Sequence, residues 1–318
     1  MSEINTSLKP LVIIAGPTAT GKSDLAVNLC LALDGAVISA DSMQVYHDMA
    51  IGSARITPEE MKGVPHYLVD YVSPREPWNV VRFKTEAVRC YNEILAAGRL
   101  PFLVGGTGFY IDAFLKDTDF TAMDEDEDYR EELSGIALRE GPEALHRMLL
   151  AVDPKAAETI HPNNVKRVIR ALEFSRSGKL ISEHNMEEKK RVSPYHALYF
   201  VLTMERDRLY RRIEARVDRM FDAGLVDEVK ALMETGLNEN DVSMQGLGYR
   251  QVIRALKGEF SLDEARERIK TETRHFAKRQ LTWFTNRQDT EMICLDDYGT
   301  AKALENALAA RIRAELFI

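Results

Sequence analysis

Apolar positions along the chain follow two patterns. Leu11–Ala15, Ala36–Ala40, Pro101–Val104 and Tyr195–Thr203 are short, nearly continuous apolar runs, as expected of strands covered on both faces. Elsewhere the apolar positions recur at helical spacing. Leu25, Leu29 and Leu33 mark a helix over Asp24–Leu33, and Phe83, Ala87, Cys90, Tyr91 and Ile94 mark another, ended by Gly98. Strands alternating with helices predict an α/β fold with a parallel sheet and right-handed crossovers. From Asp117 to about Arg191 no strand pattern is found, only short helical pieces. Asp153-Pro154 reads as an N-cap followed by proline at N1, and Gly178 closes a helix that starts near Val165. The expected organisation is a P-loop-like α/β core over 1–116, an all-helical insertion over 117–192, and a segment over 193–318. That last segment completes the core and runs as long helices from Asp207 to the end.

Length and composition agree with this division. The 318 residues exceed a typical single domain, and 45% hydrophobic content supports a sizeable core. Cys30, Cys90 and Cys294 lie far apart and form no C-x-x-C pair, which fits thiols in a reducing compartment. MSEINTSLKP has no apolar leader segment, and no apolar stretch is long enough to span a membrane. A soluble cytoplasmic monomer is expected. The net charge of −8 argues against a polyanionic partner until its distribution is considered. Asp117–Glu132 carries nine acids against Arg130, whereas Arg266–Arg287 carries seven bases against Glu267 and Glu272. Polyanions respond to local patches rather than to the whole-chain sum, although a single basic stretch is more often a solvated helix face.

The chemistry starts at Gly16-Pro17-Thr18-Ala19-Thr20-Gly21-Lys22-Ser23, which fits G-x-x-x-x-G-K-[ST] between a strand and a helix. Backbone N–H groups at the helix N-terminus would face a chain of phosphates, Lys22 would reach the terminal ones, and the Ser23 hydroxyl would ligate Mg²⁺. The loop alone does not separate ATP or another nucleotide from a different diphosphate. Many P-loop enzymes place a second acid after a later strand. Here Pro101–Val104 runs instead into Gly105-Gly106-Thr107-Gly108. The prominent acid is Asp41, directly after the second strand, where a carboxylate can serve as a base beside the phosphates or as a helix N-cap.

Six motifs in order then carry a resemblance: GPTATGKS, ADSMQVYHDMAIGSA (Ala40–Ala54), GVPHYLVD (Gly63–Asp70), VGGTGFYIDA (Val104–Ala113), SMQGLGYRQ (Ser243–Gln251) and AKRQLTWF (Ala277–Phe284). Spread over about residues 11–284, they resemble the tRNA dimethylallyltransferase (tRNA isopentenyltransferase) family. The resemblance implies that the loop holds the diphosphate of dimethylallyl diphosphate with Mg²⁺. It further implies attack by the exocyclic N6 of the adenosine immediately 3′ of the tRNA anticodon on the allylic carbon, with release of pyrophosphate. It assigns the base to Asp41, and the diphosphate contacts to Arg216, Lys22 and Ser23. It places tRNA contacts at Asp41, Ser42, Met43 and Gln44, at Thr107, at Lys166, Arg167, Val168, Ile169 and Arg170, and at Gln245, Gly246, Leu247, Gly248, Tyr249 and Arg250.

Within that reading, Gln44 can read a base edge and Tyr249 can stack. Gly246 and Gly248 would allow close backbone approach. Leu209, Ile213 and Met220 would face the core and leave Arg216 to the cleft. Arg130 is either a tRNA contact or a local salt bridge. Lys278, Arg279 and Trp283 would line the RNA side, though Trp283 is by base rate a core residue. The chain departs from the family pattern at Ala50, Ser53, Arg55 and Thr285-Asn286, which bears on RNA affinity more than on chemistry. Three alternatives stand beside this reading: an adenylate isopentenyltransferase acting on a free nucleotide, a P-loop kinase of a small metabolite, and a GTPase-like tRNA-binding module without chemistry. The helical insertion and SMQGLGYRQ argue against the first, the GGTG loop against the second, and Asp41 against the third.

Overall fold

A computed structural model describes residues 9–120 and 126–317. The first eight residues, together with Asp124 and Glu125 of the acidic run, lie outside that range. In chain order the elements are β1 (Pro10–Ala15), α1 (Lys22–Leu33), β2 (Gly35–Ser39), α2 (Pro58–Met61), β3 (His66–Tyr67), α3 (Val80–Ala96), β4 (Leu100–Gly105) and α4 (Gly108–Leu115). Five helices follow: α5 (Glu127–Glu140), α6 (Pro142–Val152), α7 (Pro154–Thr159), α8 (Val165–Arg176) and α9 (Ile181–Lys190). The chain continues with β5 (His196–Thr203), α10 (Arg206–Asp222), α11 (Leu225–Glu234), α12 (Tyr249–Leu256), α13 (Leu262–Thr285), β6 (Glu291–Cys294) and α14 (Ala301–Leu316). It divides into two compact units, 1–115 with 194–318, and 116–193.

In the first unit all six strands pair in parallel, in the order β3-β2-β4-β1-β5-β6. Every residue of β1, β2 and β4 is buried, which is why these strands read as apolar runs rather than alternations. One face of the sheet packs Phe83, Tyr91, Phe114, Val217, Val229 and Phe284, from helices α3, α4, α10, α11 and α13. The other face packs Leu25 and Leu29 of α1 against Leu304, Leu308 and Ile312 of α14. The segment after Asp207 departs from the expectation of helices alone, because β6 returns to the sheet edge beside β5. Only Ile293 of that four-residue strand is buried, so it leaves no period in the sequence.

Among its described residues the second unit has helices and no strand. Its core is Leu133, Leu145, Leu149, Val168, Ile169 and Leu172. Asp153 caps α7 by accepting from Ala156 N at 3.0 Å, and its other oxygen accepts from Ser182 N at 3.0 Å. Gly178, at φ +76°, follows the end of α8.

Candidate active site

The phosphate-loop motif leaves β1 and enters α1. Gly16 has φ +138°, and a side chain there would run into the carbonyl of Leu202 on β5, so only glycine fits. Thr20 Oγ1 donates to Pro17 O at 2.8 Å and closes the loop on itself. Helix α1 starts from Gly21 without a side-chain cap, so its first-turn N–H groups remain available to an anion. Ser23 lies beside Lys22, and its hydroxyl makes no hydrogen bond among the described residues.

Thr18, Ala19, Gly21, Lys22 and Ser23 of this loop line a cleft of about 1290 Å³. Asp41, Ser42, Met43 and Gln44 line it after β2, Thr107 after β4, Arg216 from α10, Gln245, Gly246 and Leu247 from the segment before α12, and Arg250 from α12 itself. Basic lining residues outnumber acidic ones nine to three, with five arginines (208, 211, 212, 216 and 219) coming from α10 alone. Leu209, Ile213 and Val217 anchor that helix in the core, which turns its arginine-rich side to the cleft. Arg216 Nη2 donates to Ser53 O at 3.3 Å, and Arg212 Nε donates to Ala19 O at 2.8 Å.

Lys22 and Arg216 share one field. The Lys22 ammonium donates to Pro17 O at 2.7 Å. Burial and then the positive Arg216 push its pKa down to about 7, while the Asp41 carboxylate acts in the opposite sense. Burial likewise lowers Arg216, again opposed by Asp41. Asp41 therefore lies close enough to bias both cations. Its Oδ1 accepts from Met43 N at 2.8 Å and Gln44 N at 3.2 Å, closing the turn after β2, and Oδ2 accepts no hydrogen bond among the described residues. No helix directly follows β2, so Asp41 closes a turn rather than capping a helix, and it lines the cleft. Gln44 Nε2 donates to Ala54 O at 3.1 Å.

Other expected contacts are placed elsewhere. Tyr249 is 1% exposed and donates to Glu228, so it is a core residue and cannot stack on a base. Gly248, at φ +98°, opens α12 and is also buried. In the insertion, Lys166, Arg167 and Arg170 are exposed on α8, whereas Val168 and Ile169 point into its core. Arg130 forms a two-pronged ion pair with the buried Glu173 carboxylate, through Nε at 3.0 Å and Nη2 at 3.3 Å. Trp283 is 39% exposed, packs over Gly108 and meets the ring edge of Phe109.

Gln280 carries a role that motif reading passed over. Its Oε1 accepts from Thr18 N at 3.0 Å and its Nε2 donates to Gly106 O at 2.9 Å, so one buried amide joins the phosphate loop to the loop after β4. A signal was present: Gln280 is the polar member of a buried stripe with Ala277 and Phe284.

Comparison with known proteins gives a consistent result. A family description, "IPP transferase", matches residues 44–287, and a second, "Isopentenyl transferase", matches residues 9–73. The chain is 53% identical to the tRNA dimethylallyltransferase of Lachnoclostridium phytofermentans, covering 92% of this chain and 94% of that one. It is 45% identical to that of Geobacillus kaustophilus, covering 96% and 97%. Among solved structures it resembles the full-length tRNA isopentenylpyrophosphate transferase of Bacillus halodurans (TM-score 0.71, 43% identity, 96% and 98% covered). It also resembles a eukaryotic dimethylallyltransferase acting on tRNA (TM-score 0.81, 29% identity, 96% and 79% covered). A parallel sheet bearing a phosphate loop, a carboxylate at the end of β2 and an arginine-lined cleft, together with these matches over nearly the whole chain, make the chain a member of the IPP transferase family.

Proposed function

We propose that the chain transfers the dimethylallyl group of dimethylallyl diphosphate to N6 of the adenosine immediately 3′ of the anticodon in tRNA. The observation that carries this reading is the grouping of Lys22, Arg216 and Asp41 within one cleft and one electrostatic field. The adenine amine attacks the allylic C1 carbon, the C1–O bond breaks, and pyrophosphate leaves with the bonding pair. An exocyclic amine is a poor nucleophile, so its proton must depart as the new bond forms. Asp41 lines the cleft, and its Oδ2, which accepts no hydrogen bond among the described residues, is the acceptor for that proton. Lys22, Arg216 and the uncapped first turn of α1 take up the charge that grows on the leaving diphosphate. No group is needed to position water or a phosphoryl acceptor, which accounts for the GGTG loop where many kinases and ATPases carry an acid.

The residues also fit Mg²⁺. No cluster of three or more His, Cys, Asp or Glu side chains exists among the described residues, so a cation here would be held chiefly by diphosphate oxygens and water, with the Ser23 hydroxyl as a protein ligand. When bound, it neutralises charge on the departing pyrophosphate.

The target adenosine must leave its stack to reach the cleft. Met43, Gln44, Thr107 and Gln245–Leu247 line the acceptor side, and the exposed Lys166, Arg167 and Arg170 of the insertion hold the RNA backbone. A cytoplasmic location accompanies a tRNA substrate, and no helix of the described residues is long and apolar enough to cross a membrane. Incubation with tRNA and dimethylallyl diphosphate, followed by nucleoside mass analysis, tests the proposal. N6-isopentenyladenosine in the tRNA supports it; the same product on free AMP with none on tRNA refutes it.

A further inference from the structure

Two motif segments, Ala50–Ala54 and Ser243–Gln251, meet through a residue that belongs to neither. Glu228 sits in the first turn of α11 and is half-buried. Its Oε2 accepts from Ile51 N at 2.7 Å, and its Oε1 accepts from Gly52 N at 2.9 Å and from Tyr249 Oη at 2.7 Å. A carboxylate is acceptor-only, so it satisfies three donors at once, and its charge strengthens each bond. The turn is also held from the side: a Cβ on Gly52 would lie 2.5 Å from the Tyr249 ring.

The far end of that turn faces the cleft. Ser53 O accepts from Arg216 Nη2 at 3.3 Å and from Gln44 Nε2 at 3.5 Å, and Ala54 O accepts from Gln44 Nε2 at 3.1 Å. A single carboxylate thus holds the start of the turn whose far end anchors one cleft arginine and one cleft amide. A guanidinium on a long flexible stem pays less ordering cost on binding an anion when a rigid carbonyl already holds it.

We propose that Glu228 is a positioning residue for the leaving-group side of the reaction, holding Arg216 in place through the 51–54 turn. The proposal rests on reading Arg216 as a diphosphate contact. Glutamine at 228 keeps the shape but turns one acceptor into an NH₂ donor, so Ile51 N or Gly52 N loses its partner.

The test is titration of Mg²⁺-pyrophosphate into the wild-type chain, Glu228→Gln, Arg216→Gln and the double variant, with melting curves for each. Glu228→Gln should weaken pyrophosphate binding about tenfold, the scale of one lost charged hydrogen bond. In the Arg216→Gln background the same change should cost less than about twofold, because its route is already cut. Tyr249→Phe leaves both amide bonds intact and should stay within about twofold of wild type. Glu228→Asp, which keeps the charge on a shorter stem, supplies the comparison if the glutamine variant does not fold. Unchanged affinity in Glu228→Gln, additive losses in the double variant, or an equal loss in Tyr249→Phe overturns the proposal. Pyrophosphate binding of the expected pattern in a chain that prenylates no tRNA would sink the functional reading and leave the positioning role standing.

Discussion

Proton-coupled donor binding is the sharpest consequence of the cleft electrostatics. In the free protein, Lys22 is held near pKa 7, against an ordinary 10.5, by burial and by Arg216. At pH 8 about a tenth of the molecules then carry the ammonium, and at pH 9 about a hundredth. A diphosphate seated against Nζ favours the charged form, so the pKa in the complex rises back toward its ordinary range. The sign follows directly: the free state holds fewer protons than the bound state above pH 7, so binding takes up a proton and affinity falls as pH rises through 7. The fall approaches tenfold per pH unit until the pKa of the complex is reached. Below about pH 6 the donor's terminal phosphate protonates as well, so affinity should peak between about pH 6 and 7. Calorimetric titration of dimethylallyl diphosphate in buffers of different ionisation enthalpy would measure both quantities. At pH 8 we expect uptake of about 0.9 proton and donor affinity about fivefold below its pH 7 value. Lys22→Arg, which stays charged throughout, should flatten the profile. A donor affinity that is constant between pH 7 and 9, with no buffer-dependent heat, would refute the reasoning.

Three further outcomes are expected. Asp41→Asn keeps an oxygen for Met43 N and Gln44 N and therefore keeps the turn, but it cannot accept the N6 proton. Single-turnover rates on tRNA should fall by about 10²–10⁴, and near-normal turnover would remove Asp41 from the chemistry. Replacing Lys166, Arg167 and Arg170 together with alanine should raise the KM for tRNA and leave that for dimethylallyl diphosphate unchanged; equal effects on both would assign the insertion to the donor as well. Gln280→Leu strands Thr18 N and Gly106 O, and should cost about 2–4 kcal/mol in denaturant unfolding together with a raised donor KM. A variant with unchanged stability would show that water replaces the amide without loss.

The central strands were legible because burial on both faces writes a continuous apolar run, and the phosphate loop because its glycines sit where the backbone demands them. The edge was not: β3 has two residues and β6 buries one side chain, too little for any period to emerge. Asp41 and Arg216 could be located from motif and helical spacing. Glu228 and Gln280 could not be assigned, because their partners lie 176 and 262 residues away in the chain, at Gly52 and Thr18. Tyr249 was misread for a related reason. A glycine-flanked tyrosine looks like a surface platform until Gly52, also distant in sequence, is seen packed against its ring.

Charge distribution explains how a chain of net −8 can present a basic cleft, and it changes the meaning of the basic run at Arg266–Arg287. Arg266 and Lys270 reach Asp218 of α10, Arg274 reaches Glu214 of α10, and Arg287 reaches Asp112 and Asp289. Four of the seven bases are therefore paired internally, three of them locking α13 against the helix that carries the cleft arginines. Exposed pairs of this kind contribute little stability, but they do fix the register between two helices. Lys278 and Arg279 have no carboxylate partner among the described residues, and neither do Arg211 and Arg219 on α10. The positive field available to a polyanion is thus concentrated on a few side chains at the cleft and on the groove beside Trp283. Whole-chain acidity is compatible with this, because screening in water confines each charge to about 10 Å, and a bound RNA responds to the arginines it touches rather than to distant carboxylates.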